Sequence, residues 1–419
     1  MIPFNPLLGA FLALFLLSTG FRLALDLLNA SSVKRHQGRV PASLRGMVDE
    51  DELVRMDRYT LDRTRFSLVE SVASRAVFLG LLLSGLLPRL EESLRGMGFV
   101  WAGLVFFAAP AFLFFLFDLP FGYYRDFVIE ARHGFNTRTR RLWTLDTLKS
   151  LLLGALLGGI LLGLFLLMVD KAGEAWWVWA WAILMAFQML MLVLYPTVIA
   201  PLFNRFTPVE DEELAARIRS MASEQGVNVR EIVQMDAGKR SRHTNAYFTG
   251  LGRVKRIVLY DTLLEAHDRE EVLAVLAHEM GHLEMGHVWK QVLLFGAASL
   301  VLLFAASLLI RWEPLYGAFA FSGTPLFAGL FLAGAIWEPL GFFLSPLAMA
   351  VSRRFERRAD RFVRDRGRGE ALVRAFGRMA RDNLANLHPH PLYVRFHYSH
   401  PPLPDRIRAL ETETGDVPA

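Results

Sequence analysis

The chain has 419 residues, 53% of them apolar, with 33 Phe and no Cys. Without cysteine, disulfides and thiol catalysis are excluded, and the apolar share exceeds what an ordinary soluble domain carries. The formal net charge is only +5, and the basic residues cluster in alternate loops, which membrane topology explains and a nucleic-acid partner does not.

Seven runs, nearly free of charge, have the length that crosses a bilayer: about residues 4–27, 71–88, 99–120, 147–169, 175–198, 291–310 and 326–351. The first lacks a basic n-region and a small-x-small cleavage site, so it reads as a retained span. The loop after the first run holds Lys34, Arg35, Arg39, Arg45, Arg55, Arg58, Arg63 and Arg65. The loop after the third holds Arg125, Arg132, Arg138, Arg140 and Arg141. The loops after the second, fourth and sixth hold little beyond Arg89, Arg95, Lys171 and Arg311. The positive-inside rule then places the N-terminus outside and residues 28–70, 121–146, 199–290 and 352–419 in the cytoplasm. The chain divides into spans one to five (1–201), a first polar region (202–290), spans six and seven (291–351) and a C-terminal part (352–419).

A helical pattern from Asp211 to Gln225 opens the first polar region. Two strand-like stretches, "VREIVQMDA" and "VKRIVLYDTLL", flank "SRHTNAYFTGLG". The C-terminal part reads as helical, with a His/Pro-rich loop, "NLHPHPLYVRFHYSHPPLPDR". Neither region has enough apolar residues for a large core of its own, so the two are expected to pack together. The expected fold is an all-α polytopic membrane protein with a small α+β cytoplasmic domain.

Residues 276–287, "LAHEMGHLEMGH", contain His278-Glu279-x-x-His282. Positions i and i+4 share a helix face, so His278 and His282 can grip one ion, with Glu279 beside it to take a proton from water. Two neutral imidazoles and an open position suit zinc. The blander alternative is a pair of surface histidines. A third ligand is needed. His287 lies about 140° around a continuous helix from His282, and Glu284 also faces away, so both read as solvated or as supports behind the ligands. Glu356, in "SRRFERRADRF" (352–362), is the better candidate, with Asp360 one turn on to orient an imidazole. Alone, this segment reads as a charged helix face with i, i+4 pairs. Its place tips the balance. The HExxH helix is expected to run unbroken from near Asp268 into span six, and Glu356 follows span seven by about five residues. Two consecutive antiparallel spans would bring both half-sites to one membrane boundary.

These residues, with "TNAYFTG" (244–250), "YSHPPLPDRI" (398–407), "FVIEARHGFNTRT" (127–139), "PTVIAPLFNRFTP" (196–208) and "YTLDRTRF" (59–66), resemble the Ste24-type intramembrane metallopeptidases, the type I CAAX prenyl proteases of family M48. The resemblance covers nearly the whole chain. It implies seven transmembrane helices around a water-filled chamber and one Zn2+ per chain held by His278, His282 and Glu356. Glu279 is then the general base and acid, and Asp360 the acid behind a ligand. Asn245 positions substrate on an edge strand, while His400 and Arg406 stabilise the tetrahedral intermediate. It also implies a polypeptide substrate, prenylated at its C-terminus, and a bacterial inner membrane or endoplasmic reticulum location. The alternatives are a quality-control metalloprotease for unprenylated membrane polypeptides and a catalytically silent scaffold. A P-loop is absent, which excludes the ATP-dependent membrane proteases.

Overall fold

The computed structural model describes residue 2, residues 4–250 and residues 254–412. The end of "SRHTNAYFTGLG" and the last residues of the C-terminal part therefore lie outside the described residues. In chain order come α1 (Pro6–Arg35), α2 (Glu50–Leu83), α3 (Phe99–Glu130), α4 (Arg140–Lys171) and α5 (Gly173–Phe203). The polar region follows with β1 (Phe206–Pro208), α6 (Glu212–Glu224), β2 (Asn228–Met235), β3 (Ala246–Thr249), β4 (Val254–Tyr260) and α7 (Arg269–Glu284). Then come α8 (His287–Leu309), α9 (Leu326–Arg364), α10 (Gly369–Asp382), α11 (Pro391–His397) and α12 (Leu403–Glu411).

Seven of these, α1 to α5 with α8 and α9, are long and apolar enough to cross a membrane. Several outrun their apolar segments. The clearest is α2, which begins at Glu50 on a capping box in which Asp49 and Glu52 satisfy each other's backbone amides. The polar stretch before the second run is thus largely helix. That run was expected at 71–88, but α2 stops at Leu83 because Gly85 takes a left-handed φ of 77°. The remaining apolar residues enter a short separate helix, Leu86–Ser93.

Six of the seven spans bury only 6–22% of their apolar windows, and α9 buries 44%. Of the seven, α9 is the most enclosed by the rest of the protein. The bundle is closed at the end remote from α7 by an aromatic core that includes Phe106, Tyr316, Phe319 and Phe327. Between α1, α2, α3 and α9 lies a cavity of ≈ 570 Å³ with Phe15, Phe78, Phe114 and Phe331 in its walls.

The sheet order is β1-β2-β4-β3. β2 and β4 run parallel, with β1 and β3 antiparallel at the two edges. Of these strands β1 was not expected; β3, at the sheet edge directly after Asn245, matches the edge strand that the resemblance implied, and "DTLL" after β4 is helical rather than extended. One hydrophobic core gathers Ile218, Ile257, Leu273 and Leu276 from the first polar region with Val363, Leu372 and Ile407 from the C-terminal part. It also takes Leu44, Leu53 and Met56 from the loop after α1 and the start of α2, and Ile129 and Phe135 from around the end of α3. The membrane-flanking loops are thus part of the same core.

Candidate metal centre

The site is built where α7 crosses α9. A capping box starts α7: Asp268 accepts the Glu271 amide at 2.9 Å and Glu271 accepts the Asp268 amide at 3.3 Å. Gly281, inside the HExxH segment, permits the crossing. A Cβ there would come within 3.2 Å of the Phe362 ring and 3.3 Å of the Ala359 Cα. With no side chain in the way, α9 approaches closely enough for Glu356 to reach the histidines.

The expected unbroken passage from α7 into span six does not occur. The helix ends at Glu284, Gly286 adopts φ 63°, and α8 restarts at His287. A left-handed residue reorients the chain, which overturns the angular argument about His287. Instead of facing away, His287 is buried, stacks on Phe355 with centroids 4.2 Å apart, and places Nδ1 2.9 Å from His282 Nδ1. Glu284 is exposed and pairs with Arg366 at 3.2 Å.

Glu356 and His278 are buried and His282 is half-buried. The His278 and His282 Nε2 atoms are 3.2 Å apart. Glu356 lies 3.3 Å from His278 Nε2 through Oε2 and 3.4 Å from His282 Nε2 through Oε1. Asp360 Oδ1 sits 2.9 Å from His278 Nδ1, so that nitrogen carries the ring proton and Nε2 presents a lone pair. If His282 Nε2 holds a metal, its Nδ1 carries the proton and donates to His287 Nδ1 at 2.9 Å. With a cation on both Nε2 atoms the lone pairs converge with no hydrogen between them, and among the described residues the buried Glu356 Oε2 has no hydrogen-bond partner. Tetrahedral bonds of about 2.0–2.1 Å separate neighbouring ligand atoms by about 3.3–3.4 Å, so the observed spacing fits a single cation.

The surrounding groups are equally ordered. Arg406 is buried over the Phe376 ring and grips Asp360 with two bonds, 2.8 Å from Nε and 2.6 Å from Nη2. Its Nη2 also stands 3.6 Å from Glu356 Oε2. His400 has a side chain 58% exposed, with Nε2 3.3 Å from Glu356 Oε1. Glu279 is half-buried, and burial pushes its carboxyl above the usual range. Asn245 is exposed immediately before β3, its carbonyl accepting the Tyr260 amide at 3.1 Å. A cavity of ≈ 310 Å³ is lined by Phe248 and Thr249 of β3, His282 and Leu283 of α7, and Trp289. The edge strand thus borders the space beside a candidate ligand.

Supports behind a ligand typically change metal affinity about 10–100-fold. Asp360→Ala and His287→Ala are each expected to weaken metal binding on that scale in chelator competition, and Glu284→Ala is expected to leave it unchanged. Unchanged affinity in both of the first two would show that neither residue orients an imidazole.

Fold and site together define a multi-pass integral membrane metalloprotease. Residues 29–205 match the family described as CAAX prenyl protease N-terminal, five membrane helices, and residues 208–414 match Peptidase family M48. CAAX prenyl protease 1 homolog of Arabidopsis thaliana is 32% identical over 429 residues, 98% of each chain. CAAX prenyl protease 1 of Saccharomyces cerevisiae is 32% identical over 409 residues, 90% of each. The crystal structure of S. mikatae Ste24p superposes with TM-score 0.92 at 30% identity, covering 98% of this chain and 100% of that one. The chain belongs to the Ste24-type CAAX prenyl protease family of M48 metallopeptidases.

Proposed function

We propose that the chain is a zinc endopeptidase that cleaves extended polypeptides, with prenylated C-terminal segments as its preferred substrates. The observation that carries this reading is the convergence of His278, His282 and Glu356 at tetrahedral spacing, 3.2–3.4 Å, beside the edge strand β3. Two imidazoles and one carboxylate suit Zn2+ and leave a fourth position free. When bound, Zn2+ supplies Lewis acidity, lowering the pKa of water to about 7 and polarising the scissile carbonyl.

The chain's own groups do the rest. The outer edge of β3 can take an extended substrate as an added strand, with Asn245, whose side chain holds the Ala246 amide at 2.8 Å, fixing its register. The Glu279 carboxylate takes the proton of the attacking water and returns it to the leaving amine. His400, partly exposed beside Glu356, donates to the oxygen on which charge develops. Arg406 is already engaged by Asp360, so it acts by holding that carboxylate against His278. The preference for prenylated chains draws on the names of the relatives and on the aromatic cavity within the bundle.

The test is hydrolysis of matched prenylated and unprenylated peptides by purified protein, read by mass spectrometry with and without chelator. Chelator-sensitive cleavage favouring the prenylated peptide is expected, and His400→Ala is expected to lose about 10²–10³ in kcat with zinc retained. Equal cleavage of both peptides would favour turnover of unprenylated membrane polypeptides. No cleavage of either would favour a silent scaffold.

The alternating Lys/Arg loops support a cytoplasmic site, in a bacterial inner membrane or the endoplasmic reticulum. In this cysteine-free chain, Arg408→Cys should stay unlabelled from outside intact cells while Arg311→Cys is labelled. The reverse pattern would invert the orientation.

A further inference from the structure

The segment leading into β3 is gripped by elements remote from it in sequence. His243 Nδ1 lies 2.9 Å from Asn383 Oδ1, just past α10. The same oxygen accepts the Thr244 amide at 3.2 Å, and Asn383 Nδ2 donates to Thr244 Oγ1 at 3.2 Å. Because Asn383 Oδ1 can only accept, His243 Nδ1 carries a proton. On the other side, His243 Nε2 faces the Glu130 carboxylate at 3.7 Å. That carboxylate also accepts the Tyr59 hydroxyl at 2.9 and 3.1 Å. The imidazole stacks on Phe135 with centroids 4.1 Å apart. Its backbone is pinned as well: Thr262 Oγ1 donates to the His243 carbonyl at 2.9 Å, and the Arg242 amide donates to the Phe135 carbonyl at 3.3 Å.

A four-residue edge strand paired on one side only has little power to fix its own register. β3 is such a strand, and His243 sits two residues before Asn245. We propose that His243 is a positioning residue for peptide hydrolysis. Bonded to Asn383 on one side, stacked on Phe135, and facing the Glu130 carboxylate of α3 that Tyr59 of α2 holds in place, it sets the direction in which Asn245 and β3 meet the substrate. This rests on the reading of β3 and Asn245 as the docking edge. It also gives "YTLDRTRF", "FVIEARHGFNTRT" and "TNAYFTG" a shared purpose, since Tyr59, Glu130 and the residue preceding Thr244 form one contact group. The His243 side chain is 37% exposed, so a purely space-filling role is a poor description of it.

The test uses the full-length zinc-loaded protein and two peptides sharing one scissile bond. One has about ten residues, more than enough at about 3.3 Å each to lie along the four residues of β3, and the other is a blocked dipeptide, too short to pair along it. His243→Ala should raise KM for the long peptide about tenfold while changing kcat less than about twofold. The short peptide's KM, the zinc content and the melting temperature should stay as in the parent. His243→Gln, which can still donate to one partner, should recover part of the loss, and Tyr59→Phe should show a smaller loss of the same pattern. Both keep the test open should His243→Ala not fold. The His243→Ala, Asn245→Ala double variant should be no worse than the poorer single variant, because one residue acts through the other. Multiplying effects, equal losses on both peptides, or zinc loss would overturn the proposal. An Asn245→Ala protein with parental KM for the long peptide would instead overturn the docking edge itself.

Discussion

Glu279→Gln is expected to keep its metal and lose about 10²–10⁴ in kcat. The two side chains match in size, and the ligand atoms gathered at the centre come from His278, His282 and Glu356, so the cluster has no reason to open. What disappears is a group able to accept a proton from water and return it. Glu279 neighbours His278 on α7 and stays half-buried, which keeps its carboxyl near the centre and raises its proton affinity. Metal content by elemental analysis and single-turnover hydrolysis decide the matter together. Parental turnover in the Gln variant would remove Glu279 from the chemistry, and loss of metal would make it a structural support.

Glu356→Ala should be more drastic, because on the proposed reading it removes a ligand rather than a proton carrier. Metal affinity should fall by more than the roughly 10–100-fold typical of groups behind a ligand, and hydrolysis should cease with it. The fold should persist, since Glu356 lies outside the hydrophobic core that joins α7, α9 and α10. Its loss also strips His400 of the carboxylate 3.3 Å away, so restoring metal at high concentration should not restore full activity. Full metal occupancy in the purified variant would mean that another residue supplies the third ligand.

Much of this architecture is written in local pattern. Long uncharged runs reveal the spans because lipid tolerates little else, and the i, i+4 histidines declare their shared face. Glu356 was reachable because two antiparallel helices must return to one boundary. The break at Gly286 was not, since an isolated Gly in a helical pattern is usually tolerated. That break is why His287, read as facing away, lies against His282. Gly85 ended the second span early for the same reason: a left-handed turn leaves no trace in hydropathy. β3 was too short to show in the residue pattern and was expected only through the family resemblance, and β1 was hidden by ending on Pro208. The grouping of Tyr59, Glu130 and His243 is tertiary, since no spacing rule links Tyr59 on a membrane helix to a segment 184 residues downstream. The capping box at Asp49 and Glu52 was a readable signal that α2 starts well before its apolar run.

The Arg406–Asp360 pair has an electrostatic consequence. Glu279, Glu356 and Asp360 bring three negative charges to the centre and Arg406 brings one positive, with the imidazoles neutral. The sum is −2, which one divalent cation cancels; a monovalent ion leaves −1 and a trivalent ion +1. Without the dication, protons are the available substitute. Burial opposes a charge on His278, yet the Asp360 and Glu356 carboxylates, 2.9 and 3.3 Å from its ring nitrogens, outweigh burial and lift it to about 9. At neutral pH that imidazole is therefore protonated until a metal takes its lone pair, and loading the centre expels a proton. Acid and metal compete for the same cavity, and both do so by neutralising it.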